Sequence, residues 1–271
     1  MVPKDAVFPE IGELRGEFGK EVLAEYDGRV KSDYGNADAL NVLRYSNGVV
    51  TGSNSFATIL VNQIVRANGL RTATPADLEK ALSVGINLSE GYSDSALVLR
   101  SKDNPNAYLA KSIADQVALK QKIKYPVMIP LNGFDLVRSE NSSYPLDIKL
   151  REDAQIIYAP ILGKDTGNFN SEDIDLETGI PRKLGNGNRT LYTRNSGLCR
   201  LFLDGISALS SNNDDLAYSN EHGRVRLTST EGAKSAKKFE QYITNLDKAK
   251  AEEIAKIEKR YSKALDILTG K

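Results

Sequence analysis

One histidine and one cysteine among 271 residues set the first limits on this chain. With only His222 and Cys199 to offer, a single chain cannot assemble a zinc site of the Cys/His type or a multi-histidine iron or copper centre. A lone thiol excludes an intramolecular disulfide and agrees with a reducing compartment. An excess of either charge is missing too. Thirty-six basic residues balance thirty-six acidic ones, so no overall field draws the protein toward nucleic acid or an anionic membrane. Long hydrophobic runs are also absent. The longest, such as 56–61, fall far short of the roughly 20 residues that span a bilayer. The opening Met1-Val2-Pro3-Lys4-Asp5 lacks the apolar core of a signal peptide. A cytoplasmic protein with no membrane partner is therefore expected.

An apolar content of 40% is enough to bury a substantial core in one large domain or two modest ones. The first fifty residues are rich in glycine and charge, with short apolar patches near Val22-Leu23 and a helix expected over 37–45, capped by Asn36. A stronger helix is expected over 54–68, where Phe56, Ile59, Leu60, Ile64 and Val65 recur at three- and four-residue spacing before Gly69. Thr74-Pro75-Ala76-Asp77 opens another, with threonine as N-cap and proline in the first turn. These two helices are expected to pack as a pair.

From residue 96 the pattern changes. A strand over 96–99, a helix from Asn104-Pro105 to about Lys122 and a strand over 125–131 make a strand-helix-strand unit. Further strands are expected at 134–137, 144–150, 155–162, 189–193, 198–203 and 224–227. The Gly/Asn/Asp-rich segment 162–189 reads as a long irregular loop. Helices at both ends and strands between them give an α+β fold. Its expected parts are a helical region 1–90, a strand-rich mixed sheet over 91–228 and a long C-terminal helix over 229–271. Thr228 and Glu231 have capping-box spacing, no proline follows before Thr269, and Gly270 provides the stop. Such a helix would run about 60 Å. Ile254, Ile257, Tyr261, Leu265 and Leu268 form its distal apolar stripe, while Lys250 interrupts the seam begun by Phe239, Ile243 and Leu246. That stripe is expected to contact a second subunit or a partner helix.

Four groups carry candidate chemistry. Gly52, Ser53, Asn54 and Ser55 open the apolar helix, where backbone N–H groups and the helix dipole would hold a phosphate or carboxylate. Asp173, Asp175 and Glu177, with Asp214 and Asp215, would hold magnesium or calcium if the two acidic groups converged, although no EF-hand spacing is present. No other cofactor is expected. Tyr192 and Arg194, and Arg224 and Arg226, alternate on shared strand faces and would contact single-stranded nucleic acid if those faces were open. His222 stands in a turn, and Cys199 lies among apolar residues of a strand. The leading expectation is a non-catalytic binding or assembly protein that self-associates through its C-terminal helix. A magnesium-dependent enzyme acting on phosphate-containing substrates comes second, and an RNA- or DNA-binding module third.

Overall fold

The strongest apolar periodicity in the chain becomes a buried helix. In the computed structural model, which describes residues 11–205 and 208–229, four α-helices span Gly16–Ser32 (α1), Ser55–Val65 (α2), Pro75–Ser83 (α3) and Ala107–Lys120 (α4). Ten of the eleven residues of α2 are buried, including Phe56, Ile59, Leu60, Ile64 and Val65. Its cap does more than start the helix. Asn54 Oδ1 accepts from the Ala57 amide at 2.8 Å, while Nδ2 donates to the carbonyls of Ala39 and Ala217. Two distant segments are thereby fixed to one helix end. A short 3-10 turn, Arg66–Asn68, follows, and Gly69 at φ 70° reverses the chain. For α3, Thr74 and Asp77 form the reciprocal capping box and Pro75 occupies the first turn.

Two helical expectations give way. The helix expected over 37–45 is a 3-10 turn, Asp38–Leu40, followed by strand Arg44–Ser46 paired antiparallel with Val49–Thr51. Between the strands, Asn47 and Gly48 both take positive φ, and this Asn-Gly turn favours a hairpin over a helix. Meanwhile α1 is a seventeen-residue helix whose stripe, Phe18, Val22, Tyr26 and Val30, is one residue wide on a charged background. It is α1, together with strands Leu70–Thr72 and Phe134–Arg138, that packs on α2, whereas α3 lies against strand Leu198–Asp204.

The architecture is α+β. A seven-stranded mixed sheet has the order Gly167–Phe169, Arg189–Tyr192, Ala208–Ser210, Leu198–Asp204, Tyr92–Leu99, Val127–Pro130, Ile157–Tyr158. Only the Arg189–Tyr192/Ala208–Ser210 pair is parallel. Strand Tyr92–Leu99 is buried along its whole length. Helix α4 then crosses to Val127–Pro130, which pairs antiparallel with Tyr92–Leu99, and covers the hairpin Phe134–Arg138/Leu146–Leu150. One apolar cluster joins α1, α2 and α4 to the inner faces of these strands.

The segment 162–189 is not a structureless loop. It supplies edge strand Gly167–Phe169, a 3-10 turn at Ser171–Asp173 and the hairpin Ile174–Asp175/Ile180–Pro181, with Phe169, Ile174 and Ile180 buried. Two of its glycines, Gly179 and Gly187, sit where a side chain would meet neighbouring backbone. Gly179, at φ 73°, sits where a Cβ would fall 2.1 Å from the Pro75 carbonyl carbon.

A smaller sheet orders Gly12–Glu13, Arg226–Ser229 and Leu70–Thr72. Here Thr228 is 2% exposed and pairs with Arg71, so it belongs to a strand and does not cap a helix. The rest of the expected C-terminal helix, with Ile254, Ile257, Tyr261, Leu265 and Leu268, lies outside the described residues. No helix among the described residues is long and apolar enough to cross a membrane.

Candidate functional site

The end of α2, the start of α3 and two turns of the chain enclose a polar cleft of about 540 Å³. Asn62 fixes one wall: its Oδ1 accepts from the Thr72 amide at 2.9 Å and its Nδ2 donates to the Asn132 carbonyl at 3.3 Å. Gly133 lets the opposite turn approach, since a Cβ there would lie 3.1 Å from that of Ala154. Arg66, Arg71, Lys80 and Arg151 bring positive charge to the cleft, and Asp77, Asp153 and Glu177 bring negative charge.

Most of that charge is already paired. Arg71 grips Asp77 through both Nη atoms, and Arg151 holds Asp153 through Nε and Nη2, each at 2.9 Å. Burial opposes ionisation of Asp77, but the hydrogen bonds from Arg71 and Thr74 outweigh it and hold the carboxyl below its ordinary range. Arg66 donates from Nη2 to Asp135 at 2.9 Å, its single hydrogen-bond acceptor among the described residues. Lys80 and Glu177 make no ion pair there. The cleft therefore offers one half-engaged guanidinium, one ammonium and one carboxylate to a ligand.

The residues singled out from the sequence lie elsewhere, apart from Glu177. Ser53, Asn54 and Ser55 are fully buried beneath segment 216–223. The Gly52 and Ser55 amides donate to the carbonyls of Gly223 and Leu216, at 3.1 and 3.3 Å, and Asn54 caps α2. Two of the donors expected to hold an anion are thus taken by the protein's own carbonyls, and burial shuts the group off from a ligand in solution. The acidic residues are similarly engaged. Asp173 accepts from the Asn170 amide and lies 3.2 Å from Lys183, and Asp175 accepts from the Glu177 amide at 2.9 Å. Asp214 pairs with Arg194 at 2.9 Å, while Asp215 accepts from the Ala217 amide. Among the described residues, no group of three or more His, Cys, Asp or Glu side chains is placed to hold a metal ion.

The arginine faces are not a basic platform. Arg226 is buried, donating to Ser93 Oγ at 2.6 Å and the Leu88 carbonyl at 3.2 Å, with Glu13 3.4 Å away. Arg224 is turned onto the Glu221 carbonyl at 2.6 Å. Tyr192 is exposed, but its neighbour Arg194 is tied to Asp214. Arg194 and Arg224 lie outside the strands Arg189–Tyr192 and Arg226–Ser229, so neither expected pair shares a strand face. His222 has a side chain 67% exposed beside Glu221, and Cys199 is fully buried.

Two buried ion pairs had no counterpart in the sequence reading. Arg200 Nε lies 2.6 Å from Asp94 Oδ1 and its Nη2 donates to Oδ2 at 2.7 Å, both side chains being shut off from water. The guanidinium stacks near the rings of Tyr92, Phe202 and Tyr218, 4.9, 4.6 and 5.7 Å from their centroids. Burial pushes the Asp94 carboxyl up to about 6, outweighing the pull of Arg200. Arg189 holds Glu79 through two bonds of 2.7 and 2.6 Å over the Phe169 ring. The visible signal was a charge inside an apolar strand: Arg200 shares a face with Leu198 and Phe202, and a register shift between Asp94 and Ala96 turns Asp94 onto that same face, opposite Phe202.

No family model matches the chain, and no curated protein or solved structure is detectably similar to it.

Proposed function

We propose that this protein is a non-catalytic binding protein whose ligand site is the cleft between α2 and α3. One observation carries the reading: Arg71 and Arg151 are locked in pairs with Asp77 and Asp153, while Arg66, Lys80 and Glu177 keep hydrogen-bonding capacity to spare. Preformed polar walls with a few unsatisfied groups suit recognition of a small molecule. Catalysis would need a nucleophile within reach of a base, or a free acid–base pair of matched pKa. The pairing of Asp77 and Asp153 with arginine keeps both carboxylates ionised and engaged, which disfavours them as proton carriers. Self-association through Ile254, Ile257, Tyr261, Leu265 and Leu268 is a separate part of the proposal and rests on the sequence pattern alone.

The test is a set of nitrogen-15 spectra of the full chain with citrate, AMP, glucose and glycylglycine, each at millimolar concentration. At least one compound should shift the amides of Asn62, Thr74, Gly133 and Arg151 saturably and emerge chemically unchanged. Shifts confined to other parts of the molecule would remove the cleft from consideration. Conversion of any compound would remove the non-catalytic reading.

A further inference from the structure

The charges left open in the cleft describe the ligand that would complete it. Among the described residues, Lys80 carries a positive charge without a partner, Glu177 a negative one, and Arg66 has spent only Nη2 on Asp135. A ligand with one anionic group would meet Arg66 and Lys80 but would also face Glu177. A purely cationic ligand would face Lys80 and Arg66. Only a molecule carrying both signs engages all three open charges, half-buried Arg66 and Lys80 on one side and exposed Glu177 on the other. None of the side chains lining the cleft is aromatic, so a nucleobase would find no stacking face. The side-chain amide of Gln155 offers the donor and acceptor pair that a peptide group needs, while Asn132 Nδ2 is engaged with the Thr72 carbonyl at 3.4 Å. The volume of about 540 Å³ falls within the range of about 300–1,000 Å³ typical of small-molecule sites.

Resting on the assignment of this cleft as the binding site, we propose that its ligand is dipolar: an amino acid or a short peptide with free termini. Its carboxylate is held by Arg66 and Lys80 and its ammonium by Glu177. Paired arginines on either side, Arg71 with Asp77 and Arg151 with Asp153, keep the walls neutral, so that recognition depends on the three open groups.

The experiment titrates triglycine into the full-length protein and into Lys80→Met and Glu177→Gln variants, followed by nitrogen-15 spectra. N-acetyl-triglycine amide and inorganic phosphate serve as comparison probes. Triglycine should shift the cleft amides saturably, each variant should weaken its binding about tenfold or more, as expected for loss of a charge-assisted hydrogen bond, and the capped peptide should not saturate. Both substituted side chains make no ion pair, so the variants should fold, and their melting temperatures verify that they do. Saturation by phosphate or by the capped peptide while triglycine fails would overturn the dipolar assignment but leave the cleft as a binding site. Triglycine binding unchanged in Glu177→Gln would also overturn the assignment. If none of the three probes shifts the cleft amides, the assignment fails, and if the broader panel fails as well, so does the binding reading.

Discussion

Replacing Arg200 by methionine should destabilise the protein by an amount that depends on pH, whereas replacing Asp94 by asparagine should not show that dependence. Methionine fills the space between Tyr92, Phe202 and Tyr218 with an apolar side chain but strands the Asp94 carboxyl, which is fully buried. Removing one partner of a buried ion pair costs about 3–5 kcal/mol. That is a large fraction of the roughly 5–15 kcal/mol that holds a domain folded. The stranded carboxyl has an escape, because it can bind a proton. Even with Arg200 present, burial raises its pKa from 3.8 to about 6, equivalent to about 3 kcal/mol in favour of the protonated form. A folded-state pKa above the unfolded one means the folded state holds more protons in that window, so this group's contribution to stability grows as pH falls from about 6 to about 4. Without Arg200 the pKa rises further and the window widens upward. Arg200→Met should therefore lie 3 kcal/mol or more below the wild type near pH 8 and close much of that gap near pH 5. In Asp94→Asn the stranded group is a guanidinium, which keeps its charge throughout this range, so that deficit should stay nearly constant. The double variant Asp94→Leu/Arg200→Met should recover most of the loss at every pH, since a packed apolar pair often equals or exceeds a buried ionic one. Urea unfolding at the two pH values, with the m-value checked for constancy, measures all of this. An Arg200→Met deficit that does not change with pH, or single-variant losses below about 1 kcal/mol, would refute the reasoning.

Other outcomes follow from the same structure. Asp77 is held below its ordinary pKa of 3.8 by hydrogen bonds from Arg71 and Thr74 that outweigh burial, so its contribution is present above that pH and is lost as acidification passes the lower folded value; the melting-temperature gap between wild type and Asp77→Asn should shrink below about pH 4, and a constant gap would count against the pairing. Gly179→Ala should cost about 2–3 kcal/mol, because its Cβ meets the Pro75 backbone and φ is positive, while Gly185→Ala in the same segment has open space and should be nearly neutral; equal urea midpoints would mean that segment 162–189 is not packed against α3. Deleting residues 248–271 should lower the mass seen by light scattering if the distal apolar stripe joins subunits, and a full-length protein that is monomeric at about 100 μM would end that expectation.

Helices α2 and α3 were legible because everything that specifies them is local. Phe56, Ile59, Leu60, Ile64 and Val65 define a period, and Asn54 and Thr74 cap by contacts within three residues. Where local signals compete, the weaker element was hidden. The apolar spacing around 37–45 suggested a helix, but the Asn47-Gly48 turn imposed a hairpin, and the narrow stripe of α1 was diluted by charge. Turn residues in 162–189 read as an irregular loop because a hairpin of two-residue strands has no period to detect. The candidate cleft had no signature at all. Asn62, Arg71, Lys80, Asn132, Arg151 and Glu177 come from six separate stretches and meet only through folding.

The buried arginines lie between these extremes, and they point to how the ionic core could be inferred. Arg200 and Asp94 are separated by 106 positions and Arg189 and Glu79 by 110, so no window of sequence contains either pair. Each member of the first pair nevertheless breaks its own strand's pattern. Asp94 is the one charge in a strand buried along its whole length, turned by a register shift onto the face of Leu97 and Leu99, and Arg200 lies on a face with Leu198 and Phe202. A buried charge without a partner costs several kcal/mol, so one such exception in an apolar strand requires an opposite exception elsewhere. Two strands that each carry one, of opposite sign, are candidates for direct pairing in a sheet, and Tyr92–Leu99 and Leu198–Asp204 are neighbours. Read this way, two breaks in the alternation that look like flaws in separate strands restrict which strands lie side by side, and they add a long-range constraint to a pattern that otherwise describes only local structure.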